Sequence, residues 1–317
     1  MAGRQTERGG RTKRRVAAAF GALLLPASGL FLSPGASAQN GPLPDGATFY
    51  RAVRENLARA ERASHLYTYT ERRTDLHTNP FGRLGTEGTS LFEVYPSPVR
   101  QLVYRRLVAR NGMPEDAMEL ARRDEEYRAR VSEVLRARDD RSVEDERRAQ
   151  DEAARARERR ERAINDVIDA LAFTLKERTV YNGVPAIVIT FSPRADARPS
   201  TRQGRTAQKF AGTIWVDERA AEVMHLEATS VADITYGLGI VARLGEGTEA
   251  RVTRRPIGDG LWMPTSLTLS GSGRAVLFRR LVVDFSIEWF DYRRLPDDLL
   301  APFLDPRVHR QTRGGPQ

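Results

Sequence analysis

The chain has 317 residues, of which 51 are basic and 42 acidic, with a formal charge of +9 and no cysteine. The missing thiols exclude disulfides, thiolate metal sites and cysteine nucleophiles, so the fold rests on its own core. Six cations and one anion precede residue 39, leaving only +4 on the remainder, which does not point to nucleic acid.

Residues 1–38 have the three parts of a cleavable export signal. Arg11, Lys13, Arg14 and Arg15 form the cationic start, and residues 16–32 form an apolar stretch interrupted by Pro26 and Gly29. Ala36-Ser37-Ala38 then supplies the small-x-small exit. The interruptions and the short length argue against a membrane anchor. Arg14-Arg15 leaves the export route open between the general and the twin-arginine pathways. The mature protein is expected to begin near Gln39 and to work in the periplasm, or outside the cell, with no transmembrane segment.

Residues 39–45 read as a Pro-rich leader, with Asp45 as a helix N-cap. Phe49, Val53, Leu57 and Ala60 repeat at helical spacing and predict an amphipathic helix of about 18 residues ending near Ser64. Strands are expected over 65–77, 91–95 and 99–109, with glycines at 82, 85 and 88 marking a loop and Asn111-Gly112 a turn. From Met113 to about Lys176 the spacing becomes helical. Residues 136–162 hold 19 charged residues of 27, and Val143 is the single large apolar one. Such a segment has no stripe to lay on a core, so two helices with a solvated, charged tip are predicted. Ser142 with Asp145 resembles a capping-box restart between them.

The rest of the chain predicts strands. Asn182-Gly183 joins strands over 173–181 and 184–192. A polar loop is expected over 193–208. Further strands fall at 210–216, 222–231, 240–244, 250–255, 261–269 and 276–292, and the Gly271-Ser272-Gly273 run is read as a turn. In the last strand Leu281, Val283, Phe285, Ile287 and Trp289 alternate onto one face. The expected fold class is α+β: an antiparallel curled sheet of about eleven strands, with an N-terminal helix and a helical insertion over its concave face.

The chain offers little chemistry. No two of its four histidines are four residues apart, and His225, flanked by Met224 and Leu226, reads as a structural histidine. Residues 237–242 match a dinucleotide fingerprint only formally, because no strand–turn–helix context surrounds them. No catalytic pair, metal set or cofactor motif stands out, so the chain reads as non-enzymatic. The concave apolar face is either filled by the helices or is a container for a hydrophobic ligand. Strand parity selects Trp215, Leu226, Phe285, Ile287 and Trp289 as candidate cavity residues, with Ile168 and Leu171 as candidate lid residues.

Gly212-Thr213-Ile214-Trp215-Val216-Asp217 resembles the G-x-I/V-W-V/I-D strand of the LolA-like superfamily of outer-membrane lipoprotein-sorting carriers. Residues 66–71, Asn182-Gly183 before Ile187-Val188-Ile189, residues 258–264 and Phe290-Asp291-Tyr292-Arg293-Arg294 occur in matching order. The resemblance spans most of 46–294. It implies an incomplete antiparallel barrel with helices over its hollow, and non-enzymatic binding of lipid acyl chains or lipoproteins. The organisation expected is therefore a signal at 1–38, a leader at 39–45, one domain at 46–294 carrying an insertion at 114–175, and a partly disordered tail at 295–317. The charged stretch 136–162 is longer than a lid requires, which leaves room for an envelope protein partner or a scaffold role without lipid.

Overall fold

A computed structural model of the chain describes residues 41–78, 86–97, 102–236, 242–275 and 279–296. The predicted signal, the glycines at 82 and 85, most of the formal dinucleotide fingerprint and the tail from 297 lie outside the described residues.

Helix α1 (Gly46–Ala63) starts where predicted, because the Asp45 carboxylate accepts the Thr48 N–H at 2.9 Å. Its inward stripe buries Phe49 and Ala60 and half-buries Ala52 and Val53, and the intervening Asn56 donates to the carbonyls of Ala220 and Ala221. Leu57 falls off this stripe and is 41% exposed.

The described residues form thirteen strands, all antiparallel. They are β1 (Tyr67–Thr78), β2 (Thr86–Tyr95), β3 (Tyr104–Arg110), β4 (Met113–Pro114), β5 (Leu171–Tyr181), β6 (Val184–Pro193), β7 (Phe210–Asp217), β8 (Val223–Ser230), β9 (Ile234–Tyr236), β10 (Ala242–Leu244), β11 (Glu249–Gly258), β12 (Leu261–Ala275) and β13 (Arg279–Arg294). They pair in the order β4-β3-β2-β1-β13-β12-β11-β8-β7-β6-β5, with β10 branching from β12 and β9 pairing with β10. The two strands not anticipated, β4 and β9, are two and three residues long, too short to show a period. The path is not closed, since β4 and β5 are its two ends.

Tight turns follow the sequence. Asn111-Gly112, Asn182-Gly183 and Asp259-Gly260 each place two successive residues at positive φ, as two-residue hairpins require. Gly271-Ser272-Gly273 is not a turn but lies within β12. A Cβ on Gly273 would come within 1.9 Å of the Arg243 carbonyl, so this glycine admits β10 alongside. Residues 193–208 are likewise not all loop, because Arg202–Ala207 form a short helix, α4, capped by Thr201.

The insertion is two helices, α2 (Ala117–Asp139) and α3 (Val143–Asp169), and neither contains a buried residue. Ser142 caps α3 by accepting the Asp145 N–H at 3.1 Å. Helix α3 ends earlier than its sequence spacing implies, and Leu171 opens β5. The β-branched and aromatic run from Leu171 finds a partner in β6, and that pairing overrides the helical spacing.

Helix α1 lies across the sheet. Tyr50 packs on Phe173 of β5, with ring centroids 6.2 Å apart, while Ala60 clusters with Leu261 and Met263 of β12. In a flat sheet β5 and β12 would be about 24 Å apart, at about 4.8 Å per strand. The helix rises only about 15 Å between Tyr50 and Ala60. The sheet therefore curls towards α1.

Helix α2 is seated on β3. Tyr127 stacks on Tyr104 at 4.5 Å, and Asp124 accepts from the Tyr104 hydroxyl at 2.7 Å and from Arg106 Nε at 2.9 Å. The Arg106 hydrogen bond holds the Asp124 carboxyl below its ordinary pKa. Burial and the hydrogen bond to Asp124 push Tyr104 up to about 12.

Two predictions follow from this packing. Phe49→Ala should cost about 3–4 kcal/mol in urea unfolding, whereas Leu57→Ala should cost well under that. The α2 seat should contribute fully between the ordinary Asp and Tyr pKa values. It should weaken as acid titrates Asp124 through its lowered folded pKa, and as base passes from about 10 through about 12. Hydrogen exchange of α2 and β3 amides measures both limbs, and Tyr104→Phe should remove the alkaline one.

Candidate ligand-binding face

Opposed residues of an antiparallel pair share a face. Leu175, Ile189, Ile214, Leu226, Val252, Leu267 and Ile287 are successive partners across seven strands from β5 to β13. A parallel row runs Phe173, Phe191, Gly212, Ala228, Ala250, Leu269 and Phe285. The small residues at 212, 228 and 250 leave a trough between larger neighbours. The Phe191 ring leans over it, so that a Cβ at Gly212 would meet Phe191 Cζ at 2.8 Å.

This face has two covers. At one end α1 buries Phe49 against Ile187, Ile189, Val216 and Val223. At the other, Ile234 of β9 and Leu244 of β10 cluster with Leu281, Val283 and Phe285. Ile214 packs against the α1 cluster and Leu267 and Ile287 against the β9–β10 cluster, yet all three, with Leu226 and Val252, are only half-buried. They form an apolar band that the protein's own elements leave incompletely covered.

The rows end at β1 in charge. Trp289, Ile287 and Phe285 pair with Glu71, Arg73 and Asp75. Glu71 and Asp75 are buried, and each has an arginine. Arg105 and the Trp289 indole N–H donate to Glu71, and Arg73 donates twice to Asp75 at 2.9 Å. The arginines also lie over aromatic faces, Arg73 on Phe285 at 4.7 Å and Arg105 on Phe92 at 4.5 Å. Burial, reinforced by Glu71, raises the pKa of nearby Tyr69.

Beneath the C-terminal half of α1, Glu222 is 2% exposed and Arg254 is 7% exposed. Arg254 donates to Glu222 at 3.2 Å and to the carbonyls of Val223 and Trp262. Arg59 of α1 reaches the other Glu222 oxygen at 3.1 Å and the Gly260 carbonyl at 3.2 Å. Burial lowers the Arg254 pKa, and the Glu222 charge opposes that shift.

The structure brings Leu226, Phe285, Ile287 and Trp289 onto one face. Trp215 is separated from them. It pairs with His225, one residue out of phase with Ile214–Leu226, and therefore points to the opposite face. Leu171 shares the α1 face but belongs to a strand, and Ile168 lies half-buried in the last turn of α3. The apolar band also includes Ile214, Val252 and Leu267, which the sequence grouping omitted. The alternation of Leu267 and Leu269 was a visible signal, but their face could be assigned only through β13. His225 is satisfied structurally, with Nδ1 3.1 Å from the Thr253 hydroxyl and Nε2 3.2 Å from Glu227. Among the described residues, no cluster of three or more His, Asp or Glu is placed to hold a metal, and no helix is long and apolar enough to cross a membrane.

The chain is similar to solved LolA-like structures. One is described as an outer membrane lipoprotein-sorting protein domain, from Vibrio parahaemolyticus. It is 8% identical with a TM-score of 0.32, over 84% of this chain and 98% of that one. A DUF1329 family protein from Desulfovibrio piger is 10% identical with a TM-score of 0.26, over 80% and 96%. A LolA superfamily protein from Nitrosomonas europaea is 9% identical with a TM-score of 0.26, over 77% and 96%. No protein-family model matches the chain, and no curated protein matches it.

Glu222→Ala should destabilise by about 3–5 kcal/mol, because it leaves the Arg254 guanidinium buried without its counter-charge. Adding Arg254→Met should recover most of that loss. Chemical denaturation of the two variants measures the difference.

Proposed function

We propose that the chain is an exported periplasmic protein that binds the acyl chain of a lipid or lipoprotein, without catalysis. The observation that carries this reading is the half-buried apolar row from Ile214 to Ile287, held between α1 and the β9–β10 pair. A row of five aliphatic side chains suits an extended hydrocarbon, which needs length and no polar partners. The charged bank of Glu71, Arg73 and Asp75 at its end suits the polar head of an amphipathic ligand. Helix α1 fits a cover that is displaced as the chain enters.

Mass spectrometry of the protein purified gently from envelope extracts should find co-purifying acyl lipids. The fluorescent fatty acid cis-parinaric acid should bind the delipidated protein saturably. Leu226→Arg and Ile287→Arg should each weaken that binding by about tenfold or more, since a cation on the row must be desolvated beside the chain. A protein isolated free of lipid that takes up no acyl probe would sink the proposal.

A second reading rests on a different observation. No residue of 136–162 is buried, so this outer part of the arm adds nothing to the core. An envelope scaffold would use it as a contact surface for a partner protein. Deleting residues 136–162 should then abolish capture of that partner while the sheet stays folded, and retained capture counts against this role.

A further inference from the structure

Arg73 of β1 is the register partner of Ile287, so it stands where the apolar row of the α1 face ends. Glu71 and Asp75 flank it on the same face of the strand. Tyr69, Val94 and Arg105 are successive partners that carry this face across β2 to β3.

The hydrogen bonds of this bank are unevenly used. Both oxygens of each carboxylate already accept. Glu71 takes Arg105 and the Trp289 indole N–H, the latter at 3.2 Å, and Asp75 takes Arg73 twice at 2.9 Å. A guanidinium carries more N–H groups than either contact uses. Arg73 spends Nε and Nη2 on Asp75 and keeps Nη1, while Arg105 spends Nη2 on Glu71 and keeps Nε and Nη1. Among the described residues the Tyr69 hydroxyl has no hydrogen-bond partner, although its ring packs on Tyr292 at 5.2 Å. What remains to offer a ligand is therefore mostly donors.

The two ion pairs also point the same way. The Glu71 side chain is 9% exposed and that of its partner Arg105 46%, while Asp75 is 8% exposed and Arg73 19%. Each pair buries its negative end and turns its positive end outward. The guanidinium groups are held there over the rings of Phe92 and Phe285. Glu71 and Arg73 are two residues apart on one strand, about 7 Å, which brings the guanidinium bound to Glu71 near that of Arg73. An ammonium head would meet donors and positive ends. An uncharged ester would accept a hydrogen bond but gain nothing from the charge. A carboxylate or phosphate gains both.

We propose that this bank receives an oxyanion, the carboxylate of a fatty acid or the phosphate of a phospholipid, with Arg73, Arg105 and Tyr69 as its donors. The inference rests on the acyl-binding reading and narrows its ligand to anionic amphiphiles.

The test compares cis-parinaric acid with its methyl ester, which has the same chain and an uncharged head. In mildly alkaline buffer the delipidated protein should bind the acid about tenfold more tightly than the ester, and added salt should weaken the acid alone. Tyr69→Phe should weaken the acid about threefold and leave the ester unchanged. Glu71→Gln combined with Arg105→Gln removes the pair without stranding a buried charge. It should bring the acid close to the ester, whose retained binding reports that the apolar row is intact. Laurate and lauroyl lysophosphatidylglycerol as competitors distinguish carboxylate from phosphate, and displacement by either one supports the proposal. Equal affinity for acid and ester, or displacement by dodecyltrimethylammonium as effective as by laurate, overturns it while leaving the acyl-binding reading in place. Failure of the ester and the acid alike overturns both.

Discussion

An antiparallel sheet whose two end strands never meet cannot bury its apolar face by closing on itself. Curling narrows the problem, and a helix laid across the curl solves most of it. Here that helix is α1, and its hold depends on the buried Glu222–Arg254 pair with Arg59 reaching down from above. A charge pair in such a place adds little stability compared with a well-packed apolar substitute, yet removing one member alone is costly. Through Arg59 it ties the C-terminal half of α1 to one place on the sheet, beside the contacts of Phe49, Asn56 and Ala60. The position of α1 in turn decides how much of the row from Ile214 to Ile287 stays uncovered.

The two faces of the sheet differ because period-two alternation assigns each strand two independent sets of residues. The α1 face is mainly apolar from β5 to β13 and turns charged at β1. The other face carries Trp215, His225, Thr253, Ser266, Glu288 and Arg72 as successive partners from β7 to β1. A one-residue error in register would exchange the two sets. A bulge at Asp291 in β13 takes up one extra residue, so the odd–even assignment of faces reverses beyond it and Tyr292 joins Leu261 and Met263 near Ala60 of α1.

Much of this was legible in the sequence, because it depends on local rules. The Asp45 cap, the Ser142 restart, the Asn-Gly turns and the alternation of β13 all stand where residue type and spacing put them. The errors share a cause. Leu171 continues the helical spacing of Ile164, Val167 and Ile168, and only its pairing with Pro193 at the far end of the β5–β6 hairpin places it in a strand; Gly271-Ser272-Gly273 reads as a turn because β10, which pairs beside it, is remote in sequence. Trp215 was grouped with Leu226 because the phase of β7 against β8 is a tertiary fact. Only the ladder shows that Ile214, not Trp215, faces Leu226.

The pairing of β1 with β13 has a consequence for how the chain is made. Tyr67 is among the first residues of the sheet to emerge and Arg294 among the last, and they are ladder partners. Until the final strand arrives, β1 and β12 each present a bare edge of unpaired N–H and C=O groups beside greasy side chains. Such edges recruit other chains. Assembly is therefore governed by the slowest loop closure in the molecule, and β-rich proteins with such distant partners fold slowly. A chain that emerges N-terminus first meets this delay in full, because β13 is the last part of the sheet to arrive.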